Sequence, residues 1–338
     1  MRFTRLGTVV LMLVLLVLSL PVSTVQAGAR SIRGFALTVS NVDRAVDFYQ
    51  QALGFERVSE RVVNDRNYDY LTGVFGTRVR IVTMGLGDER LDLEQYLTPV
   101  GQPIPVDSRS NDLWFQHFAV VVSDMTRAFE QVSRFPIQSI SSAPQTIPEW
   151  NTAAAGIKAY KFKDPDGHPL ELLWFPPDKG RPKWQRADGK LFLGIDHSAI
   201  GVSSTKRSIS FYRDLIGLSV DGSGVNTGVT QEQLDNAFGA VVRITGLRPE
   251  SSESPGLEFL QYITPSGGRP APINLRPNDL LLTRTVVEVD DLDGLLIKLD
   301  GGGVTFISPQ VVPVTGEPWS KGLMVKDPDG HAVLLVQR

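Results

Sequence analysis

The chain has four histidines and no cysteine, so metal binding or proton transfer near neutral pH would depend on imidazole and carboxylate groups. Two of the histidines, His168 and His331, follow the same turn sequence, DPDG. At this position a histidine is expected to have a structural role in the turn. His117 and His197 differ, because each begins an apolar run typical of a buried strand, HFAVVV and HSAIGV. These two are the histidines whose positions suggest chemistry.

Two glutamates lie on strands with largely apolar faces. Side chains alternate along a strand, so Glu171 shares a face with Leu173 in the sequence PLELLWF. Glu258 shares a face with Leu260 and Tyr262 in GLEFLQY. A carboxylate on an apolar face needs a partner, and a cation would satisfy it. Both glutamates are therefore candidates for a metal site.

The chain repeats itself after about 163 residues, which indicates a duplication. The turn KDPDGH occurs at 163–168 and again at 326–331, and the segment 40–59 matches 203–222. The sequence between the copies is polar and contains proline and glycine, as a linker does. We predict a first half at 28–178, a linker at 179–189 and a second half at 190–338.

Each half divides into two units that have the same order of secondary-structure elements. A strand leads through a Ser, Asp or Asn cap into a helix, and several short strands follow. The apolar residues of the first helix recur at the helical period: Val42, Ala45, Val46, Tyr49 and Leu53. Gly54 is expected to end that helix. The sequence thus predicts four βαβββ units, at 33–100, 114–177, 194–266 and 281–338.

This arrangement resembles the vicinal oxygen chelate superfamily. The resemblance rests on the four units, on FY…LGF or FY…IGL after the helix, and on DPDGH before the last strand. That superfamily includes glyoxalase I, extradiol dioxygenases, methylmalonyl-CoA epimerase, and fosfomycin- and bleomycin-resistance proteins. The resemblance implies an α+β fold in which pairs of units build two incomplete barrels of curved sheet.

In metal-binding members of that superfamily, the first strand of a unit supplies a histidine and the last strand supplies a glutamate. The resemblance assigns these roles to His117 and Glu171 in the second unit. In the third unit it assigns them to His197 and Glu258. All four ligands would meet in one site if the second unit pairs with the third.

The first and fourth units lack these ligands. The first has Gly34 and Asp92 at the two positions, and the fourth has Arg284 and Leu334. Glycine has no side chain, arginine stays cationic, and leucine has no donor atom. We therefore predict that the outer units pair with each other, unit 1 with unit 4, and the inner units pair as well. Asp92 and Arg284 would then face each other as an ion pair.

The inner set of two imidazoles and two carboxylates suits one divalent metal, namely Zn, Ni, Co, Mn or Fe(II), and no organic cofactor is expected. The resemblance implies isomerase, epimerase or lyase chemistry on a small molecule that chelates the metal through neighbouring oxygens. Glu171 or Glu258 would move the proton. The stretches 64–87 and 224–247 are expected to cover the barrels.

Two other functions remain open. An Fe(II) extradiol-type dioxygenase normally uses two histidines and one carboxylate, and Tyr262 could line its substrate pocket and assist. A protein that binds a small molecule without turnover would need an aromatic cleft. Candidates for such a cleft are Trp114, Phe115, Trp150, Tyr160, Trp174 and Trp319.

The first 27 residues have the form of a secretory signal peptide. A short basic start precedes the apolar run TVVLMLVLLVLSL, and the small-residue pattern before a cut ends at Ala27. The protein is therefore expected to be exported, to the periplasm or the medium, without a stable membrane anchor after cleavage. A formal charge of −3 without a basic run argues against nucleic acid as a partner. We expect a monomer.

Overall fold

The computed structural model describes residues 28–186 and 189–338. The predicted signal peptide, residues 1–27, lies outside the described residues. Among the residues that are described, no helix is long and apolar enough to cross a membrane.

The first half contains two units built around a leading strand and helix. The first unit consists of β1 (Ala29–Thr38), α1 (Val42–Leu53), β2 (Glu56–Val63), α2 (Arg66–Thr72), β3 (Arg78–Leu86) and β4 (Glu89–Thr98). The second unit consists of β5 (Gln116–Val122), α3 (Met125–Val132), β6 (Gln138–Ser139), β7 (Gln145–Thr146), β8 (Lys158–Lys163) and β9 (Pro169–Trp174). A 3₁₀ turn, Pro182–Gln185, follows.

The second half repeats this order. The third unit consists of β10 (Phe192–Gly201), α4 (Thr205–Ile209) continued by a π-helical segment (Ser210–Leu215), β11 (Ser219–Thr227), α5 (Val229–Asp235), β12 (Val241–Arg248) and β13 (Gly256–Thr264). The fourth unit consists of β14 (Thr283–Val289), α6 (Leu292–Gly301), β15 (Thr305–Phe306), β16 (Val312–Pro313), β17 (Lys321–Lys326) and β18 (Ala332–Gln337).

The strands form two curved sheets of nine strands each, and the predicted cross-pairing is confirmed. The outer sheet joins units 1 and 4 through the antiparallel pair β1 and β14. The inner sheet joins units 2 and 3 through the antiparallel pair β5 and β10. The α+β class is confirmed too. In units 1 and 3 the stretches expected to cover the barrels contain the short helices α2 and α5, which the sequence analysis did not predict.

Helix α1 shows why the sequence folds this way locally. The side chain of Asn41 accepts a hydrogen bond from the backbone N–H of Arg44 and caps the helix, and Gly54 ends it in the left-handed region. The five apolar residues predicted to form its buried face are all buried. The face packs into a core that both sheets share, in which the rings of Phe35 and Phe118 stack with centroids 6.1 Å apart.

The repeated KDPDGH turn connects the two units within each half. Asp166 in the turn of unit 2 accepts hydrogen bonds from the backbone and hydroxyl of Ser40, and it pairs with Arg44 at the start of α1. In unit 4, Asp329 accepts a hydrogen bond from the backbone N–H of Ser203, and it pairs with Arg207 at the start of α4. Each turn therefore fastens one barrel to the other.

His168 completes the first of these connections as a buried imidazolium. Its Nδ1 lies 2.9 Å from the carboxylate of Asp164, and its Nε2 lies 3.0 and 3.1 Å from the carbonyls of Thr38 and Leu280. Both nitrogens face acceptors, so the charged ring satisfies every contact. Burial opposes the charge, but Asp164 and Asp166 outweigh burial and raise the pKa of His168.

This arrangement predicts a pH-dependent loss of stability in the variant His168→Gln. At about pH 6 we expect the free energy of unfolding to fall by about 2 kcal/mol, because a charge-assisted hydrogen bond is lost and Asp164 is left buried. When folding raises the pKa of a histidine, its charged form stabilises the folded state. This stabilisation is fully present at a pH below the pKa of the unfolded state, and it is lost as the pH rises through the pKa of the folded state. The difference from the parent should therefore shrink as the pH is raised, as measured by urea unfolding.

His331→Gln is the matched control. The ring of His331 makes a single hydrogen bond in the described structure, 2.9 Å to the carbonyl of Gly201, so its loss should cost less. Equal, pH-independent losses in the two variants would contradict the imidazolium assignment.

Candidate metal centre

The candidate ligands lie in two rows that run across the inner sheet. In one row His117 on β5 is paired with Ala199 on β10, and Ala199 is paired with Glu258 on β13. In the other row His197 is paired with Ala119, and Ala119 with Glu171 on β9. Paired residues project from the same face, so the four polar side chains surround two alanines. These alanines are fully buried and leave space between the ligands.

The side chains predicted to bind metal converge. The rings of His117 and His197 have centroids 6.0 Å apart. A carboxylate oxygen of Glu171 lies 3.3 Å from Nε2 of His117 and 3.8 Å from Nε2 of His197. Glu258 lies 3.4 Å from Nε2 of His197. Donor atoms of the two histidines and Glu171 all lie within 4.8 Å of one another, whereas Glu258 is outside that group.

His117 has the properties of a metal ligand, although its Nε2 already faces Glu171. It is 2% exposed, and neither ring nitrogen makes a hydrogen bond within the described residues. Burial lowers the pKa of His117, which favours the neutral ring with a free lone pair. A buried, unpaired nitrogen is costly, and a metal ion would satisfy it.

His197 is oriented by the residue before it. Its Nδ1 lies 3.0 Å from the carboxylate of Asp196, which leaves Nε2 facing Glu171 and Glu258. Burial disfavours the charged ring, but Glu258 and Asp196 outweigh burial and raise its pKa to about 9. Protonated His197 thus balances the carboxylates, and a divalent ion would take over this role by displacing the proton.

Asp196 is in turn held by the segment between the two halves. The indole N–H of Trp184 donates to Asp196 at 2.7 Å, and Nε of Arg181 donates at 3.2 Å. Nη2 of Arg248 lies 3.8 Å away. Sequence analysis treated 179–189 only as a linker and missed these residues. Carboxylates that fix a ligating histidine in this way are a regular part of metal sites.

A second missed feature is a buried ion pair beside Glu171. Lys161 on β8 is paired with Glu171 on β9, and its Nζ lies 2.7 Å from Asp235 at the end of α5. Burial disfavours the ammonium, but Asp235 and Glu171 outweigh burial and raise the pKa of Lys161. The repeat contained a signal for it, because KAYKFKDPDGH and KGLMVKDPDGH differ at this position, with Met324 in the second copy.

A cavity of about 530 Å³ opens in front of the four candidate ligands and is lined by all of them. Its apolar wall includes Ile157, Leu173 and Leu234. Phe175 is part of the lining, but none of the six residues proposed for an aromatic cleft is. Tyr262 does not line this cavity either; its hydroxyl donates to Asp235 at 2.7 Å. Its role in substrate binding stays a prediction.

The described residues give the outer barrel no equivalent ligand set, and one expectation about this barrel is wrong. Arg284 pairs with Glu94 and not with Asp92. The Asp92 carboxylate instead accepts a hydrogen bond at 2.6 Å from Thr83, its neighbour on the adjacent strand. The long arginine side chain reaches the next carboxylate along the strand, which also accepts from Tyr68.

The donor set fits a divalent ion of the kind predicted, because it offers two imidazoles and two carboxylates around a gap between buried alanines. The identity of the ion does not follow from this set. Fold and site together define a four-unit βαβββ protein with one candidate metal centre within the residues described.

Comparison with known proteins agrees with this class. The family model of the Glyoxalase/Bleomycin resistance protein/Dioxygenase superfamily matches residues 31–172 and 194–335. The chain therefore belongs to this superfamily. A 2-epi-5-epi-valiolone epimerase from an Actinomyces species is 29% identical over 171 residues, which are 49% of this chain and 89% of that protein.

Solved structures share the fold. Glyoxalase I from Zea mays superimposes with a TM-score of 0.59 at 17% identity, over 92% of this chain and 93% of that chain. A putative dioxygenase from Bacillus subtilis gives 0.56 at 14% identity, over 92% of this chain and 86% of that chain. At identities this low, the superpositions show a shared fold only. The chemistry must be argued from the residues of the site.

The contact from Trp184 to Asp196 predicts a loss of metal affinity in Trp184→Phe. The phenyl ring keeps the apolar surface beneath Arg181, whose guanidinium lies 4.8 Å from the indole centroid, but removes the N–H. Asp196 would then hold His197 less firmly. We expect Zn²⁺ affinity to fall about tenfold, as measured by competition with a chelator.

Trp174→Phe is the control for that change. Its indole N–H donates to the carbonyl of Ser123 at 3.2 Å, and the residue does not line the cavity. Zn²⁺ affinity should be unchanged in this variant. If the two variants bound Zn²⁺ equally well, the linker would have no part in the site.

Proposed function

We propose that this protein is a divalent-metal enzyme that moves a proton at a carbon beside chelated oxygens of a small molecule, as an epimerase, isomerase or lyase. The observation that carries the proposal is the convergence of His117, Glu171, His197 and Glu258 in the wall of a 530 Å³ cavity. The relative that acts as a 2-epi-5-epi-valiolone epimerase supports epimerase chemistry, and that compound is the first substrate to test.

The two glutamates have different surroundings, which suggests different roles. Glu171 is 7% exposed and lies between both histidines, whereas the Glu258 side chain is 31% exposed and contacts His197 alone. Burial raises the pKa of Glu258. For Glu171 burial is outweighed by His117 and Lys161, and the pKa is lowered to about 2.

Glu258 is therefore the better proton carrier, and Glu171 the firmer ligand. A carboxylate that is partly exposed and is held by a single histidine has room to move, so it can accept a proton from a substrate carbon and return it. A bound divalent ion would supply Lewis acidity to the substrate oxygens. Glu171, His117 and His197 would hold that ion, and the apolar wall of the cavity would exclude water from the carbon acid.

The variants Glu171→Gln and Glu258→Gln test this division. We expect Glu171→Gln to lose about 10- to 100-fold in Zn²⁺ affinity, because a neutral amide replaces a central carboxylate. Glu258→Gln should retain metal but lose at least about 100-fold in proton exchange. Metal content is measured by mass spectrometry, and exchange by deuterium uptake from D₂O into 2-epi-5-epi-valiolone and other α-hydroxy ketones.

Two results would contradict the proposal. A parent protein that binds no divalent metal after loading would rule out the metal centre. Unchanged exchange in Glu258→Gln would rule out Glu258 as the proton carrier.

A dioxygenase is the second candidate, on one specific observation. The tight group of donor atoms comprises two histidines and one carboxylate, His117, His197 and Glu171, which is the ligand set of many Fe(II) oxygenases. Oxygen consumption by Fe(II)-loaded protein with catechols, and none with Zn²⁺, would favour this function over proton transfer.

Export is also part of the proposal and is supported by the sequence of residues 1–27. We expect the mature protein to begin at Gly28 when it is expressed in a secreting host, as read by intact-mass measurement. Recovery of the uncleaved chain from the membrane fraction would contradict it.

A further inference from the structure

Lys161 lies in the same row as two of the candidate ligands. The row runs across four neighbouring strands and consists of His197, Ala119, Glu171 and Lys161. Adjacent strands are about 4.8 Å apart, so the lysine side chain begins next to that of Glu171, and it contributes to the cavity lining. The site therefore has a buried cation as a direct neighbour.

The partner of this cation, Asp235, does not line the cavity, whereas Lys161 does. Asp235 belongs to α5 of unit 3, and its second carboxylate oxygen accepts hydrogen bonds at 2.7 Å from Gln231 and Tyr262. Its charge is thus shared among three donors. Lys161 has three N–H donors, of which one has a partner within the described part of the chain. The positive end of the pair faces the site.

The outer barrel shows that the fold itself does not need this pair. The equivalent row there consists of Gly34, Val286, Leu334 and Met324, so methionine occupies the position of the lysine. Thr72, the last residue of α2, occupies the position of Asp235. The ion pair thus accompanies the candidate ligands and is replaced where they are lost.

We infer that Lys161 makes the inner cavity selective for a small anionic ligand. The negative charge of this ligand lies on the oxygens that approach the candidate metal ligands. The charge is present in the free ligand or arises when one of its carbons loses a proton. This inference rests on the proposed function and names its substrate class. A fixed ammonium in a buried site attracts an anion and repels a metal cation. Lys161 acts through this field as a positioning residue.

The test uses Zn²⁺ and oxalate, a dianion with neighbouring oxygens. Calorimetry measures Zn²⁺ binding to the full-length protein, and then oxalate binding to the Zn²⁺-loaded protein. In Lys161→Met we expect oxalate to bind about tenfold more weakly, while Zn²⁺ binds as tightly as before or more tightly. A merely structural role would weaken both.

Two further variants complete the design. Lys161→Met combined with Asp235→Asn leaves no unpaired carboxylate and keeps an acceptor for Gln231 and Tyr262, so it provides a folded form should the single variant be unstable. Lys163→Met is the control, because Lys163 is on the same strand, donates to the carbonyl of Ser108 and does not line the cavity. Oxalate affinity should fall in the double variant and stay unchanged in the control.

The outcomes separate this inference from the proposed function. A parent that binds no divalent metal, Zn²⁺ included, would overturn the proposed function and this inference with it. A parent that binds Zn²⁺ but not oxalate would overturn the inference alone. Oxalate affinity that is unchanged in the lysine variants, or that falls together with Zn²⁺ affinity, would also overturn the inference alone.

Discussion

The antiparallel pairing of β5 with β10 determines where every candidate ligand lies. Because His117 is opposite Ala199 and His197 is opposite Ala119, each histidine stands diagonally across from the other over a small side chain. The flanking parallel strands then add one glutamate to each row. A slip of one residue between these two strands would put the two histidines on opposite faces of the sheet. The site is thus a consequence of register, and the loops contribute its surroundings.

The same framework accommodates buried charge differently in its two copies. In the inner barrel, carboxylates and imidazoles face one another, and their charge can be balanced by a proton on His197 or by a metal ion. In the outer barrel the guanidinium of Arg284 provides a permanent cation, paired with Glu94. Val286 and Leu334 pack beside it with other buried apolar residues. A covalently attached cation makes an exchangeable one unnecessary, which explains how the outer ligands could be lost without loss of the sheet.

The sequence was sufficient for the parts of this structure that follow from pattern and repetition. Cross-pairing could be inferred because the ligand positions are complete only in the inner units, and the helix faces follow from periodicity. The partner of Arg284 could not be inferred, because the reach of a long side chain leaves no pattern in the sequence. The contact of Trp184 with Asp196 could not be inferred either, because it forms only when the linker folds back on the sheet. Lys161 was accessible to the same comparison of copies that identified the ligands, but lysine is usually a surface residue and its burial could not be seen.

The repeated turn clarifies why the two copies could diverge. The sheets join unit 1 with unit 4 and unit 2 with unit 3, whereas the KDPDGH turns join the two units within each half, through Asp166 to Ser40 and through Asp329 to Ser203. All four units are therefore held in one body by contacts that lie outside both barrel interiors. Substitution of an interior row changes what a barrel can bind without breaking these connections. Conservation of the turn in both copies and of the ligands in one copy is what this separation of scaffold from site would produce.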